Sequence, residues 1–296
     1  MLSILIPTYN FNIVSLVKEL HSQCTKLSIE FEIICYEDGS SLELINQNKP
    51  IKTLKNVIYK SLEKNIGRAA IRNLLSKEAS HEYQIFMDCD SATVTNDYVK
   101  NYLLNKDVAP VIFGGRVYTE VPPKNPKKIL RWIYGTKREV FSEKQRMLKP
   151  YKFFMTNNFL VKKEVITKFP FQENLIGYGH EDTVFAQDLK KEHIKVIHIE
   201  NPLCHIGLEN ADEFLFKTIN GVKNLAQLIK SNQIDEDNKL FATYKNLKTF
   251  GLANLILFVL NFLNAFITSN LISKKPNLWL FDLFKLRLLI INMKTN

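Results

Sequence analysis

Cysteine is scarce in this 296-residue chain. Only Cys24, Cys35, Cys89 and Cys204 occur, far apart and with no CxxC pair. That excludes a zinc ribbon or a disulfide framework and suits a reducing cytoplasm. The opening MLSILIPTYN lacks the positive n-region and longer apolar core of a secretory signal, so it is expected to belong to the fold. No Gly-rich phosphate loop with a following Lys, and no GxGxxG, follows the first apolar segment. A sugar nucleotidyltransferase and a dinucleotide-binding dehydrogenase are thereby disfavoured. Repeats of solenoid length and low-complexity tracts are missing too. Acids are outnumbered, 30 Asp and Glu against 40 Lys and Arg, and the net +10 points to an anionic partner: nucleic acid, anionic lipid or a phosphorylated substrate.

The remaining composition is globular. With 46% hydrophobic and 24% charged residues, neither disorder nor a polytopic membrane protein is expected. The length suits two domains, or one larger α/β domain with an extension. Leu2 to Ile6 reads as a buried strand, and Ile13, Val17, Leu20, Cys24 and Leu27 then recur at helical steps. Further strands are expected at 32–36, 56–59, 84–87, 111–118, 153–161 and 195–200, with helices over 67–77, 97–104, after 182 and over 212–230. Residues 119–152 read as a long basic connection with some helix. This alternation predicts a Rossmann-like, mostly parallel sheet flanked by helices, whose ligand crevice lies beyond the carboxyl ends of its strands. Thr8, Asn10, Asp38, Asp88 and Asp90 all follow such ends.

The tail is different. Thr249 to Ser273 carries no charge and is long enough to span a bilayer, yet Asn254, Asn261, Asn264 and Thr268 place a polar stripe along it. That stripe favours a helix lying in a membrane interface or packed on protein. From Lys217 onward eleven Lys and Arg face four Asp and Glu, so +7 of the net charge lies there. Trp279 and Phe281 beside Lys285 and Arg287 complete a membrane-surface composition.

Two groups of residues carry chemistry. Asp88-Cys89-Asp90 would present two carboxylates beyond a strand end, where a hard cation can bridge phosphates, although acids there also cap helices. Arg68 and Arg72 lie four apart on one helix face behind Asn65-Ile66-Gly67, where amides and guanidiniums can meet a diphosphate; surface salt bridges would explain them as well.

In their order, SILIPTYN, EDGS at 37–40, NIGRAAIRN, FMDCDS and GYGHED resemble the inverting glycosyltransferases of family 2, which have the GT-A fold. The stretch from TNNFLVKKEVITKF to PLCHIG is similar to the C-terminal region of galactosyltransferase-like and chondroitin-polymerase-like members. The resemblance spans roughly residues 2–210 and leaves out the tail. It implies a GT-A domain over 1–210, with a nucleotide-sugar half to about 115 and an acceptor half beyond, followed by a helical extension over 211–296. Pro7, Thr8 and Tyr9 match the segment lining the nucleotide base, and Asp38 the acid on uracil or ribose. Arg72 matches a residue near the donor phosphates, with Arg68 beside it. Asp88 and Asp90 match the DxD motif, whose second acid binds the metal, and His205 matches a late histidine of the metal site. Glu181 and Asp182 match the ED pair, of which the second is the usual base. Glu37 departs from a more frequent Asp, and His180 from a frequent Gly.

The function so implied is metal-dependent transfer from a UDP-sugar, with Mn²⁺ or Mg²⁺, to a hydroxyl of a glycan or lipid-linked glycan acceptor in polysaccharide synthesis. A catalytically inactive nucleotide-sugar-binding partner is the alternative from another class. No nucleic-acid partner is expected. The expected location is the cytoplasmic face of the membrane, held peripherally or by a single helix through an anionic lipid surface.

Overall fold

The computed structural model describes residues 1–173, 179–234 and 237–294, so Gly177 and Tyr178 of the GYGHED turn lie outside the described residues. The chain forms two compact units: Met1–Thr119 with Val140–Asn174 and Glu181–Gly207, and Glu120–Glu139 with Leu175–His180 and Leu208–Asn296.

The chain opens with β1 (Leu2–Thr8), α1 (Val14–Lys26), β2 (Phe31–Glu37), α2 (Leu42–Asn48), β3 (Val57–Ser61), α3 (Arg68–Glu78) and β4 (Tyr83–Met87). It continues through β5 (Ser91–Thr93), α4 (Tyr98–Asn105), β6 (Val111–Phe113), β7 (Arg116–Val117), α5 (Ile129–Arg138), α6 (Glu143–Met147) and β8 (Asn158–Lys162). Then follow α7 (Lys163–Lys168), α8 (Glu181–Lys191), β9 (Val196–His198), β10 (Leu203–His205), α9 (Ala211–Lys230), α10 (Lys239–Thr249), α11 (Ala253–Phe262), α12 (Asn264–Leu271) and α13 (Leu278–Lys294).

Among the described residues the first unit holds a seven-stranded sheet in the order β3-β2-β1-β4-β8-β6-β9, and a three-stranded sheet, β5-β10-β7. In the large sheet only β8 runs antiparallel, to β4 on one side and β6 on the other. Both faces are covered, so β1 and β2 are buried almost throughout rather than on alternate residues, and their polar members Ser3, Thr8, Glu32 and Glu37 are buried with the apolar ones. Leu2, Ile4 and Ile6 pack with Ile13, Val17, Leu20 and Cys24, while Leu5 packs on the opposite face with Ile71 and Leu75 of α3. The helical stripe expected after β1 is therefore the buried face of α1 and its N-cap.

Several expected elements are shorter or divided. Residues 153–161 yield a strand only from Asn158, and 195–200 only Val196–His198. The strand expected over 111–118 is two, β6 and β7, which belong to different sheets. The chain turns between them because Gly114 lies against a buried polar hub. A Cβ there would sit 2.5 Å from Tyr102 Oη and 2.6 Å from Asn158 Nδ2, and Gly115 takes φ +98°. Asn158, fully buried, donates to the carbonyls of Gly115 (2.8 Å) and Asn201 (2.9 Å) and accepts from the hydroxyls of Tyr98 (2.8 Å) and Tyr102 (2.7 Å). All of its polar capacity is used.

The second unit is helical. Its α13 lies against α9, α10, α11 and α12. Phe214 and Phe281 stack at 5.4 Å with Tyr134 beside them, and buried Arg131 reaches Glu209 (3.1 Å) and Glu139 (3.2 Å). The uncharged run expected to be one helix is broken at Leu263 into α11 and α12, bent by 63°. Asn261 on the run accepts from Arg287 Nε on α13 at 2.8 Å, which ties its polar stripe to protein. Among the described residues no single helix is long and apolar enough to cross a membrane, whereas the bent pair α11 and α12 together has the length and composition of one span.

Candidate active site

The carboxyl ends of β1, β2 and β4 and the start of antiparallel β8 lie along one edge of the large sheet. The loops leaving that edge are tied to each other. Thr8 O accepts from Asp38 N–H (2.7 Å), and Asn10, with φ +49°, joins the next loop through its own N–H to Ser40 Oγ (2.9 Å) and its Oδ1 from Ser41 N–H (2.8 Å). Thr8 and Asp38 are buried, whereas Tyr9 is 54% exposed. The two oxygens of Asp38 accept from Ile66 N–H (2.7 Å) and Gly67 N–H (3.2 Å), which pins the start of α3. Burial raises the pKa of Asp38 against the pull of those two amides. Gly39 must be glycine: its φ is +71° and a Cβ would lie 2.4 Å from Asn65 N.

Glu37, the departure noted above, is fully buried and braces this edge. Its Oε1 accepts from Asn48 Nδ2 (2.7 Å) and Tyr59 Oη (2.8 Å), and its Oε2 from Ser40 Oγ (2.5 Å). The longer side chain reaches a hydroxyl on β3 that Asp would miss.

The two carboxylates beyond β4 are sorted by their neighbours. Asp88 faces arginines: Oδ1 is 2.7 Å from Arg72 Nη2, and Oδ2 is 3.3 Å from Arg116 Nη2 and 3.6 Å from Arg68 Nη2. Arg72, 2% exposed, and Arg68 both also reach Glu181 Oε1, at 3.9 and 2.8 Å. The four-residue spacing on α3 thus sends two guanidiniums into one network with Asp88 and Glu181. Such forked, charge-assisted contacts fix the direction of the donors as well as adding energy.

Asp90 is turned elsewhere. Its Oδ1 lies 3.4 Å from His205 Nδ1, brought there because β10 pairs antiparallel with β5 so that His205 faces Ser91. Asp90 O accepts from Ile206 N–H (2.9 Å), and Gly207 packs so closely that a Cβ would lie 2.4 Å from Asp90 Cβ. Burial opposes ionisation of Asp90, but His205, helped by Arg116 and Arg68, holds its pKa at about 2. Burial pushes the Cys89 thiol up to about 12, which disfavours the thiolate.

Asp90 Oδ1 and His205 Nδ1 are buried and face each other at 3.4 Å, and the buried His205 Nε2 makes no hydrogen bond. A buried nitrogen left unmet in this way costs roughly 1–3 kcal/mol. One carboxylate and one imidazole fit a Mn²⁺ or Mg²⁺ that takes its remaining ligands from phosphate and water. Among the described residues no group of three or more His, Cys, Asp or Glu side chains gathers as a complete centre, and Asp88 is held by the arginines.

Glu181 and Asp182 open α8, and they too are separated by environment. Glu181 is bound to Arg68. Asp182 Oδ1 accepts from Thr183 N–H (2.7 Å) and Thr183 Oγ1 (3.3 Å). Burial, then the adjacent Glu181 charge, pushes Asp182 up to about 6, against those bonds and Arg68. A carboxylate of that basicity can take a proton near neutral pH.

The structure thus brings Asp88, Arg68, Arg72 and Glu181 into one network, with Asp90 and His205 as a pair beside it. Two further residues, Arg116 and Gly207, escaped the sequence analysis as individuals. A charged residue directly after a Gly pair at a strand end was the available signal for Arg116, and for Gly207 its place just after the late histidine.

The sequence pattern described as glycosyl transferase family 2 matches residues 3–169. A comparison with curated proteins finds no match. Among solved structures, a mannosyltransferase from Pyrobaculum calidifontis in complex with GDP-Man and Mn²⁺ is similar with a TM-score of 0.53 and 12% identity, over 79% of this chain and 65% of that one. S. aureus TarS 1-349 in complex with UDP-GlcNAc gives 0.52 and 15% identity, over 97% and 89%. Glucosyl-3-phosphoglycerate synthase from Mycobacterium tuberculosis, in complex with Mn²⁺, UDP and glucosyl-3-phosphoglycerate, gives 0.51 and 14%, over 80% and 81%. Likeness at these identities is one of fold. The chain spans just under two thirds of that mannosyltransferase chain and 41% of the longer TarS chain.

Proposed function

This chain belongs to glycosyl transferase family 2, and on that premise we propose that it moves a sugar from a UDP-sugar to a hydroxyl of a glycan or lipid-linked glycan acceptor, with inversion. The observation that carries the reading is the buried Asp90–His205 pair, with His205 Nε2 unmet, beside the guanidiniums of Arg68, Arg72 and Arg116, an arrangement suited to a cation-bridged diphosphate. The GDP-Man, UDP-GlcNAc and UDP complexes of its structural neighbours support a nucleotide-sugar donor. Pro7, Thr8, Tyr9 and Asp38 then line the nucleoside, with the exposed ring of Tyr9 against the base.

Asp90 and His205 would hold Mn²⁺ or Mg²⁺, which when bound supplies charge neutralisation for the departing diphosphate. Arg72 and Arg116, oriented by Asp88, face the same charge. Asp182 is the base. The acceptor oxygen attacks the anomeric carbon, the bond to the diphosphate breaks with its electron pair leaving on the diphosphate, and the acceptor proton passes to Asp182. Both hydrogen bonds that Asp182 accepts end on Oδ1, so Oδ2 is the oxygen for that proton. Glu181, held by Arg68, positions rather than abstracts.

The resemblance of the sequence over 156–207 to galactosyltransferase-like and chondroitin-polymerase-like members favours a glycan acceptor and a role in polysaccharide synthesis. We assign catalysis to residues 1–210 and membrane attachment to 211–296. Phe258, Phe262 and Phe266 of α11 and α12 are exposed, and Lys137, Arg138, Lys274 and Lys275 line a recess of about 660 Å³ in the same unit. Exposed aromatic rings and clustered cations in one unit suit an anionic lipid surface on the cytoplasmic side. The deciding experiment is UDP release from a panel of UDP-sugars with oligosaccharide acceptors, with Mn²⁺, with Mg²⁺ and in excess chelator. Metal-dependent release requiring both substrates is expected; binding of UDP-sugar without release would make the chain a sensor or assembly partner.

A further inference from the structure

Asn157 precedes β8 and is 3% exposed, yet neither its Oδ1 nor its Nδ2 has a hydrogen-bond partner. An amide carries two donors and one acceptor, and burying all of them unmet is rare in a folded protein. Asn158 next to it shows the contrast, with every polar atom engaged.

The direction of the Asn157 side chain follows from the sheet. Met87 pairs with Asn158 across the antiparallel β4–β8 ladder, and Asp88 N–H continues the pairing to Asn157 O at 3.1 Å. Residues directly opposite each other in such a ladder project to the same face. Met87 lies in the α1-side core, so Asp88 and Asn157 project to the other face, where Arg72 of α3 meets Asp88 and where Phe185 and Leu189 of α8 pack. The orphaned amide therefore sits on the face of the arginine network.

Strand order then assigns its ligand. Along the site edge β2 and β1 carry the nucleoside-side residues, β4 the diphosphate-side residues, and β8 comes next. A nucleotide sugar laid along the edge in that order presents its sugar at the start of β8. We infer that the Asn157 amide binds hydroxyls of the transferred sugar and is a specificity-determining residue for the donor. The inference rests on the donor site proposed above. A hydroxyl both donates and accepts, so two neighbouring sugar hydroxyls satisfy Nδ2 and Oδ1 together. The backbone carbonyl of Asn157 stays with Asp88, so substitution of the side chain leaves the ladder intact.

The test is calorimetric titration of the full chain with UDP, UDP-glucose and UDP-N-acetylglucosamine in Mn²⁺, for wild type, Asn157→Ala and Asn157→Asp. The wild type should bind one UDP-sugar more tightly than UDP. Asn157→Ala should keep its UDP affinity within about twofold while its affinity for that sugar nucleotide falls about tenfold or more, as expected for losing two or more buried hydrogen bonds. Asn157→Asp, which keeps only acceptors, should fall between or match Ala. Thermal midpoints without ligand should be unchanged or higher in Asn157→Ala, since no protein bond is lost. Equal loss of UDP and UDP-sugar binding, an undiminished sugar increment, no increment in the wild type, or a melting point lowered by several degrees would each overturn the inference. A wild type that binds none of the three ligands would instead refute the UDP-sugar donor, and the inference with it.

Discussion

Replacing Asp182 by Asn separates a catalytic base from a structural acid, because the two roles predict stability changes of opposite sign. The carboxyl stands at about 6 in the folded chain against 3.8 ordinarily, raised by burial and by Glu181. The folded state therefore holds its proton more tightly than the unfolded state. The contribution of this carboxyl to stability is therefore fully present below about pH 4, declines as pH rises between the two values, and is lost above about pH 6. At about 1.4 kcal/mol per unit, the roughly two units amount to about 3 kcal/mol, and the residual solvent contact of Asp182 reduces this to about 1–3 kcal/mol. Asn keeps the acceptor oxygen for Thr183 N–H without the charge, so Asp182→Asn should be more stable than wild type at pH 7.5 by that amount and nearly equal at pH 4. Transfer should fall by about 10²–10⁴-fold, the usual contribution of a positioned base. UDP and Mn²⁺ binding should persist, and wild-type kcat should rise with pH through about 6. Urea denaturation at the two pH values, run beside UDP release, measures both quantities. A variant that is destabilised at pH 7.5, or that turns over normally, refutes the assignment; if Glu181→Gln is the inactive one while Asp182→Asn works, the two roles must be exchanged.

Asp90→Asn or His205→Ala should remove the thermal shift given by Mn²⁺ with UDP and abolish metal-dependent turnover in a folded protein; full activity in either variant, or in excess chelator, would exclude that pair as the metal site. Gly207→Ala places a Cβ 2.4 Å from Asp90 Cβ, and should cost on the order of 1–3 kcal/mol in urea denaturation and weaken the Mn²⁺ shift; an unperturbed midpoint would mean the turn yields freely. Glu181→Gln should lower stability by roughly 1–3 kcal/mol at pH 7.5 by leaving the Arg68 and Arg72 guanidiniums short of a carboxylate, read by the same denaturation. Phe258→Ser with Phe262→Ser should reduce co-sedimentation with vesicles containing anionic lipid by tenfold or more, each ring contributing about 1.5–3 kcal/mol when buried, while Lys274→Gln with Lys275→Gln should blunt the salt dependence. These substitutions are preferable to deleting 245–296, since α13 packs its Phe281, Phe284 and Leu289 inside the helical unit.

The alternation of strand and helix through β4, the inward stripe of α1, and the placing of polar residues beyond the strand ends were legible in the sequence. They follow from local rules: a strand buried on both faces is apolar throughout, and a helix on a sheet repeats its apolar residues every three or four positions. The motif order also carried the family. Residues brought together by distant segments were not legible. Whether Asp88 or Asp90 faces the arginines depends on where α3 and β10 come to lie, and nothing within Asp88-Cys89-Asp90 marks the difference. The break between β6 and β7 was hidden for the same reason: Gly114 must accommodate Tyr102 and Asn158, residues far from it in the chain. In the tail, charge and hydropathy sum the composition of a run but do not say where it bends, and the break at Leu263 leaves Asn261 facing Arg287 across two helices.

The sequence by itself thus determined the fold class, the family and the set of residues available for chemistry, because those depend on periodicity and short-range order. Tertiary structure alone decided which carboxylate is held by guanidiniums, which is paired with a histidine, which acid is raised to about 6, and which buried amide lacks a partner. Each of these is an energy set by neighbours within a few ångströms, and those neighbours are supplied by segments up to about a hundred residues away.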